Sequence, residues 1–426
     1  MLKNLYISIF LSFLVINDLH STTLNEAINL LYENNNQLRS EKVKIKEVKS
    51  AAGATMLNIL PDIRYTKSLY QHSTWITLNG VHHSDSRRNR DKTVLSLQEE
   101  LSVGNLALDP LRAVNILNIQ RLNYRLNEQT IILQAISAYL NVIRDEEISR
   151  VAKENEDILT KYTGLIKRRL DFGEVTKTDL EQSKSRLYLI QSSRIQAESD
   201  FEVSKALYKK TFGIAPKNLT IPKKFPEVPK DLDEFRKITQ DQNIPLQISE
   251  LNKLTAKYDI GRAANAILPS VYIYGTVVKN DDNLIADHIR EQRIYGVDLK
   301  IPILPRGGSE YAKILQNKYA FNRSYYDYED YKLDLEKQII ETWNNLKTYN
   351  ASVESAKSAL EFTTLAMNAV KREAQYGSRT TLDVLNSELE NFNANVNLIK
   401  ARYAQILSHY KLTSLMGELN RNVFNN

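Results

Sequence analysis

The residues with the spacing to do something specific are a threonine and an aspartate three positions apart, set just behind a glycine. The chain carries this arrangement twice. Phe172-Gly173-Glu174-Val175-Thr176-Lys177-Thr178-Asp179-Leu180 is matched by Tyr376-Gly377-Ser378-Arg379-Thr380-Thr381-Leu382-Asp383-Val384-Leu385. Glycine takes positive φ at a helix end without the clash a Cβ brings, and Thr176 or Thr380 can cap the helix that follows. An aspartate in the first turn complements the helix dipole. Capping by itself accounts for Asp179 and for Asp383. Other chemistry finds little support. The 6 histidines (His20, His72, His82, His83, His288, His409) are scattered, and His82-His83 with His72 reads as an exposed loop tip rather than a metal site. No phosphate-binding glycine loop occurs, and Gly307-Gly308 reads as a bend. With no clustered nucleophile, acid pair or metal set, the sequence predicts no enzyme, no cofactor and no metal. Zero cysteines excludes disulfides, thiolate metal sites and a lipid-modified N-terminal cysteine.

The elements around these turns are also written twice. Leu60-Pro61 recurs as Leu268-Pro269 and Gly213 as Gly417, and each half reads helix, strand, loop, strand, very long helix, turn, helix. In the first half Ile63, Tyr65 and Leu69 alternate with Arg64, Thr66 and Ser68, then Leu95, Leu97 and Leu101 alternate with Ser96, Gln98 and Glu100. In the second, Val271, Ile273 and Val277 alternate with Ser270, Tyr272, Tyr274 and Thr276, and Tyr295, Val297, Leu299, Ile301 and Ile303 with Gly296, Asp298 and Lys300. Period two over about ten residues suits a tilted strand crossing a bilayer. A half-buried hairpin on a soluble core is the competing reading. Two hairpins give four strands, and the smallest closed barrels need about eight. If the apolar faces meet lipid, several chains must combine to close the wall.

The helices are predicted to be long. Leu106–Asp171 has no proline after Pro110, and Ile132, Ile136, Tyr139 and Ile143 keep an apolar stripe at three-four spacing. About 65 residues at ~1.5 Å each make a rod close to 100 Å. Leu24–Leu60 and Glu174–Phe212 are shorter and together about equal it. The second half repeats the plan with Glu310–Gln375, Ile244–Leu268 and Thr380–Met416. One long helix should therefore pack beside two stacked short ones. Between the halves, Pro216, Pro222, Pro226 and Pro229 mark an extended strap or a linker.

Composition and address agree with an elongated exported chain. Gly (13) and Pro (10) are sparse across 426 residues, and a net charge of +6 without a basic stripe interleaved with aromatics points away from nucleic acid. Lys3 followed by the apolar run Leu5–Ile16 looks like an export signal, too short to span a bilayer, with cleavage near Ser21 or Thr22. An uncleaved anchor or a buried first helix is the alternative.

The paired Gly-x-x-Thr-x-x-Asp turns, the Leu-Pro before each hairpin and the duplicated plan resemble the TolC family of outer-membrane efflux and secretion channels, from about Leu24 to Gly417. That resemblance implies an α+β fold: a long antiparallel α-helical coiled-coil barrel plus a transmembrane β-barrel shared between three chains, internally duplicated. Its expected divisions are a signal peptide over 1–21, a first repeat over 22–215 with its hairpin at 62–103, and an equatorial strap over 216–243. A second repeat over 244–417, with its hairpin at 269–304, and a tail over 418–426 complete it. The function implied is a passive homotrimeric exit duct in the outer-membrane lipid, its helical tunnel in the periplasm. The partners implied are a periplasmic adaptor and an inner-membrane pump or ABC transporter. By the same resemblance the turns form the periplasmic gate, with Gly173 and Gly377 as turn glycines. Asp383 would recur three times around the mouth, and a carboxylate ring favours cations. Arg379 matches a position whose links to the Thr178-Asp179 turn hold the entrance shut. Two departures weaken the match: the family tyrosine before the glycine turn is Ala374 here, and a second acidic position one turn after Asp383 is Asn386. A periplasmic or secreted coiled-coil scaffold with soluble hairpins remains the rival; it predicts a water-soluble product.

Overall fold

Both predicted hairpins form, and they join. A computed structural model describes residues 22–72, 76–78, 81–83, 88–222, 224–281 and 289–424, with side chains outside 72–90 and 281–289. The expected signal segment and Asn79-Gly80 therefore lie outside what is described, and of His82-His83 only the backbone is described. β1 (Asp62–His72) pairs antiparallel with β4 (Arg88–Leu101), and β5 (Ser270–Asp281) with β6 (Ile289–Lys300). β4 also pairs with β5, giving one four-stranded sheet in the order β1-β4-β5-β6. A short extra hairpin, β2 (Ile76–Leu78) with β3 (Val81–His83), stands on the first loop.

Register decides which side chains share a face. Ile63 lies opposite Leu97 and Tyr65 opposite Leu95; Leu101, Val271 and Leu299 form one row across three strands. On this face Ile63, Tyr65, Leu95, Leu97, Ile273, Val297 and Leu299 are all exposed. On the other face Tyr272, Tyr274 and Thr276 are half-buried. Arg64, Thr66, Gln98, Glu100, Asp298 and Lys300 on that same face are exposed, so neither side is covered within one chain, and one of the two sides is apolar. Pairing ends at Lys300, three residues short of the predicted Ile303, because Pro302 has no amide to give the ladder.

Below the sheet stand two long helices, α3 (Asp109–Asp171, 63 residues) and α7 (Ser309–Gln375, 67 residues). At ~1.5 Å per residue each is about 95–100 Å long. Among the described residues no helix is long and apolar enough to cross a membrane. The short partners stack as predicted. α2 (Asn36–Leu57) and α4 (Lys177–Phe212) lie along α3, and α6 (Ile244–Ala264) and α8 (Thr381–Leu415) along α7. Nearest the sheet the packing runs α2, α3, α6, α7; toward the far end α3 also meets α8. The bend expected at Gly307-Gly308 forms with positive φ at both glycines, and Arg306 before them also takes positive φ.

Two expectations need correction. The predicted Leu24–Leu60 helix is broken into α1 (Leu24–Asn34) and α2, because the Asn35 side chain accepts from the amides of Gln37 (2.9 Å) and Leu38 (3.0 Å) and starts a new helix. The strap is only partly extended. Residues 232–242 form α5, capped by Asp231, whose side chain accepts from the Glu234 amide at 2.8 Å. The strap belongs to a packed waist. α1 buries Leu24, Ala27, Ile28 and Leu31 against Ile132, Ile136 and Tyr139 of α3 and Tyr208 and Phe212 of α4. The Tyr139 hydroxyl accepts from the Thr220 amide (3.1 Å) and lies 2.8 Å from the Thr22 carbonyl, pinning the strap to the chain's first described residue. On the other side Phe235 of α5 packs on Leu335, Ile339 and Trp343 of α7.

Candidate functional site

At the end remote from the sheet, each long helix closes on a glycine with positive φ, Gly173 at 76° and Gly377 at 79°. The amide of Glu174 bonds back to the Arg169 carbonyl (2.9 Å) and that of Ser378 to Glu373 (3.0 Å), so both turns satisfy the last free carbonyls of their helices. No atom lies within 4 Å of a Cβ built on either glycine, so the turn's dihedral angles and not its packing require glycine.

Both Thr-Asp pairs form reciprocal caps. Thr176 Oγ1 accepts from the Asp179 amide (3.2 Å), while Asp179 Oδ2 accepts from the Thr176 amide (2.9 Å) and hydroxyl (2.7 Å). Thr380 and Asp383 repeat this at 3.2, 2.9 and 2.8 Å. Hydrogen bonds from the Thr176 side chain and then its amide hold the Asp179 carboxyl below its ordinary range; for Asp383 the Thr380 amide contributes most, then the hydroxyl. Both aspartates are therefore ionised at neutral pH and anchored by one oxygen, which leaves Oδ1 of each for other partners.

Within the chain Arg379 Nε bonds Glu373 Oε2 at 2.7 Å, bracing its own turn, and does not reach Thr178 or Asp179. Arg169 and Glu174 brace the first turn in the same manner at 2.9 Å. Thr178 is exposed. One link between the two helical hairpins near the turns comes from a residue the sequence did not single out. Arg186 of α4 donates to Asn386 Oδ1 of α8 at 3.1 Å, beside a small apolar cluster of Leu159, Ile190 and Leu385. Asn386, noted as a missing acid, is thus the acceptor of an inter-hairpin bond. Within the second hairpin Lys371 pairs with the nearly buried Glu388. Nothing in spacing pointed to Arg186, because its partner is 200 residues away. Phe172 and Tyr376, just before the glycines, are among the most exposed aromatics described, at 81% and 88%.

No group in this region is arranged as nucleophile and base, and among the described residues no set of three or more metal-ligating acidic, histidine or cysteine side chains converges. The arrangement is mechanical: two capped turns, each internally braced, clasped to one another by an arginine and an amide.

Comparison with known proteins agrees with that geometry. The family model described as "Outer membrane efflux protein" matches residues 239–418. The chain is 24% identical over 301 residues to the outer membrane efflux protein BepC of Brucella suis, covering 70% of this chain and 66% of that one. It is likewise 24% identical over 374 residues to the outer membrane protein TolC of Vibrio cholerae, covering 84% and 76%. Among solved structures, the Campylobacter jejuni CmeC outer membrane channel superposes with a TM-score of 0.82 over 93% of this chain and 86% of its own, at 17% identity.

Proposed function

The chain belongs to the TolC family of outer membrane efflux proteins, a family of channels rather than enzymes, and on that premise we propose that three copies close into the passive exit duct of a tripartite efflux or type I secretion system. The protein resides in the outer membrane, its helical part reaching into the periplasm. One observation carries the trimer reading: the sheet has an exposed apolar face and two unpaired edge strands, β1 and β6. Open edges and half-barrels do not persist in hydrocarbon, where each unsatisfied amide and carbonyl is costly. Twelve strands from three chains exceed the minimum for closure, whereas four do not.

The helices support the same closure. β6 leads into α7 on one flank, while β1 and α2 lie on the other, so a heterologous contact of one flank with the next copy's opposite flank generates a ring. Charge favours it. α2 carries Arg39, Lys42, Lys44, Lys46 and Lys49, and α7 carries Asp327, Glu329, Asp330 and Asp334. Ala52 and Thr55 share a cleft with Arg112, which bonds Asp259 at 2.7 Å, and Asp259 shares another cleft with Ala320 and Arg323. The lysines and the acids each begin one or two turns further from the sheet, so they stand at similar depth.

The turns then gather at the periplasmic mouth. Arg186–Asn386 and the two braced turns hold the hairpins together; opening swings the α7–α8 pair away and breaks that clasp. Asp383 and Asp179 supply negative charge there. A periplasmic adaptor and an inner-membrane pump or ABC transporter would open the mouth and supply the energy. Membrane fractionation followed by mass measurement of the detergent-solubilised particle tests the reading. The expected result is an outer-membrane particle of three chains; a water-soluble monomer would overturn it.

A further inference from the structure

On the polar face of the sheet, Tyr272 stands in a row between two carboxylates, Glu100 on β4 and Asp298 on β6. The Tyr274 ring stacks beside it, centroids 5.7 Å apart at 29°, and Tyr274 lies over Gly296, where a Cβ would meet its hydroxyl at 2.6 Å. Glycine across the ladder is what lets that ring lie flat. A cation already occupies one face of Tyr272: the Lys300 ammonium sits 3.9 Å from the ring centroid. Ser270 Oγ bonds Glu100 Oε1 at 2.8 Å and fixes that carboxylate at the same level. Nearby Arg64 is paired with Asp62 at 2.7 Å, so those two charges cancel. The row keeps one negative charge in excess: two carboxylates against one lysine.

We propose that this row is a subsite for organic cations, amines or quaternary ammonium ions bearing an aromatic group, which exchange with Lys300 on the Tyr272 face as they leave through the sheet end of the duct. The proposal rests on the exit-duct reading, which turns this polar face toward the lumen because the apolar face meets lipid. An aromatic face attracts a cation through the ring quadrupole, and the resident ammonium shows that the approach is sterically open. Flanking carboxylates select positive over neutral guests of equal size, and the neighbouring Tyr274 ring supplies a surface for the guest's own aromatic group. Because every named side chain comes from one chain, each protomer carries a complete subsite.

Benzyltrimethylammonium and the neutral benzyl alcohol serve as probes against the detergent-solubilised full-length protein, with binding followed by saturation-transfer NMR. The cation should bind and benzyl alcohol should not. Tyr272→Leu should weaken the cation by about three-fold, the scale of an exposed cation–π contact. Lys300→Gln, which removes the resident competitor, should strengthen it. Equal signal from both probes, or no change in either variant, would overturn the subsite. Opposite shifts in the two variants cannot come from misfolding alone, since loss of fold lowers both. Particle mass measured on the same samples judges the duct separately: a monomer sinks that reading, while the titration judges the row of side chains.

Discussion

Leu299 offers the sharpest test of which way the sheet faces. Tyr295, Val297, Leu299, Ile301 and Ile303 are exposed at 85%, 66%, 64%, 61% and 87%, and alternate along the strand and its continuation. Eight residue steps at ~3.4 Å make about 27 Å of extended chain, which at a tilt of ~40° gives a band about 20 Å tall. That is close to the ~25 Å apolar belt of outer-membrane barrels. Leu299 is the last apolar residue of β6, one step before pairing ends at Lys300, so it lies toward the helix-side edge of the belt. An arginine costs about 2–4 kcal/mol at the midplane of such a belt and about 0–1 kcal/mol near its edges, so the cost at Leu299 falls between these in each chain. Leu299→Arg should therefore reduce insertion. The control is Thr276→Arg, on the polar face between Ser96 and Ile294, where a long polar side chain points into water and should change stability by less than about 1 kcal/mol. The assay is abundance in the outer-membrane fraction, with urea midpoints of protein refolded into lipid vesicles. Normal insertion of Leu299→Arg together with failure of Thr276→Arg would refute the orientation and everything built on it.

Single-channel recording in planar bilayers tests the mouth: Arg186→Ala or Asn386→Ala removes a hydrogen bond to a charged group, about 1.5 kcal/mol per chain, and should raise mean conductance. Arg379→Ala should do less, since its partner Glu373 lies in the same turn, and unchanged conductance in all three variants would remove the clasp from the account. Asp383→Asn should shift the reversal potential toward weaker cation preference; an unmoved potential counts against a carboxylate ring. Lys46→Glu in α2 should lower trimer yield and Asp330→Lys in α7 should restore it in the double variant, each exposed pair being worth about 0.2–1 kcal/mol; no rescue would place the seam elsewhere. Acid should loosen the turns. Both capping carboxyls have native pKa values lowered from 3.8, so their contribution is complete above that value and is lost as pH falls through the lower native ones. Amide-exchange protection over 176–183 and 380–387 should therefore hold from pH 7 to pH 5 and decline below about pH 4; protection lost already at pH 5 would contradict it.

Local signals were strong where backbone chemistry is local. Period-two alternation located β1, and the Thr-x-x-Asp spacing gave both capping boxes, because these depend on residues no more than four apart. Both glycine turns followed from φ alone. The misses at Asn35 and in the strap were also local: short polar side chains there begin new helices, and the apolar spacing that suggested continuity does not register a cap.

Three things were decided only by tertiary structure. The pairing of β4 with β5 fuses two hairpins 170 residues apart into one sheet, and no pattern inside either hairpin specifies its outer neighbour. Within one chain Arg379 takes Glu373, and an inter-hairpin bond forms between Arg186 and Asn386, since a guanidinium takes whichever acceptor the packed helices bring within reach. The row of Glu100, Tyr272 and Asp298 exists only in that fused register; shifting it by one residue would send Tyr272 to the apolar face. Sequence thus determined elements, caps and the alternation of faces, which are short-range properties of the chain. Which faces and charges meet is a long-range property, set by how the two halves pack.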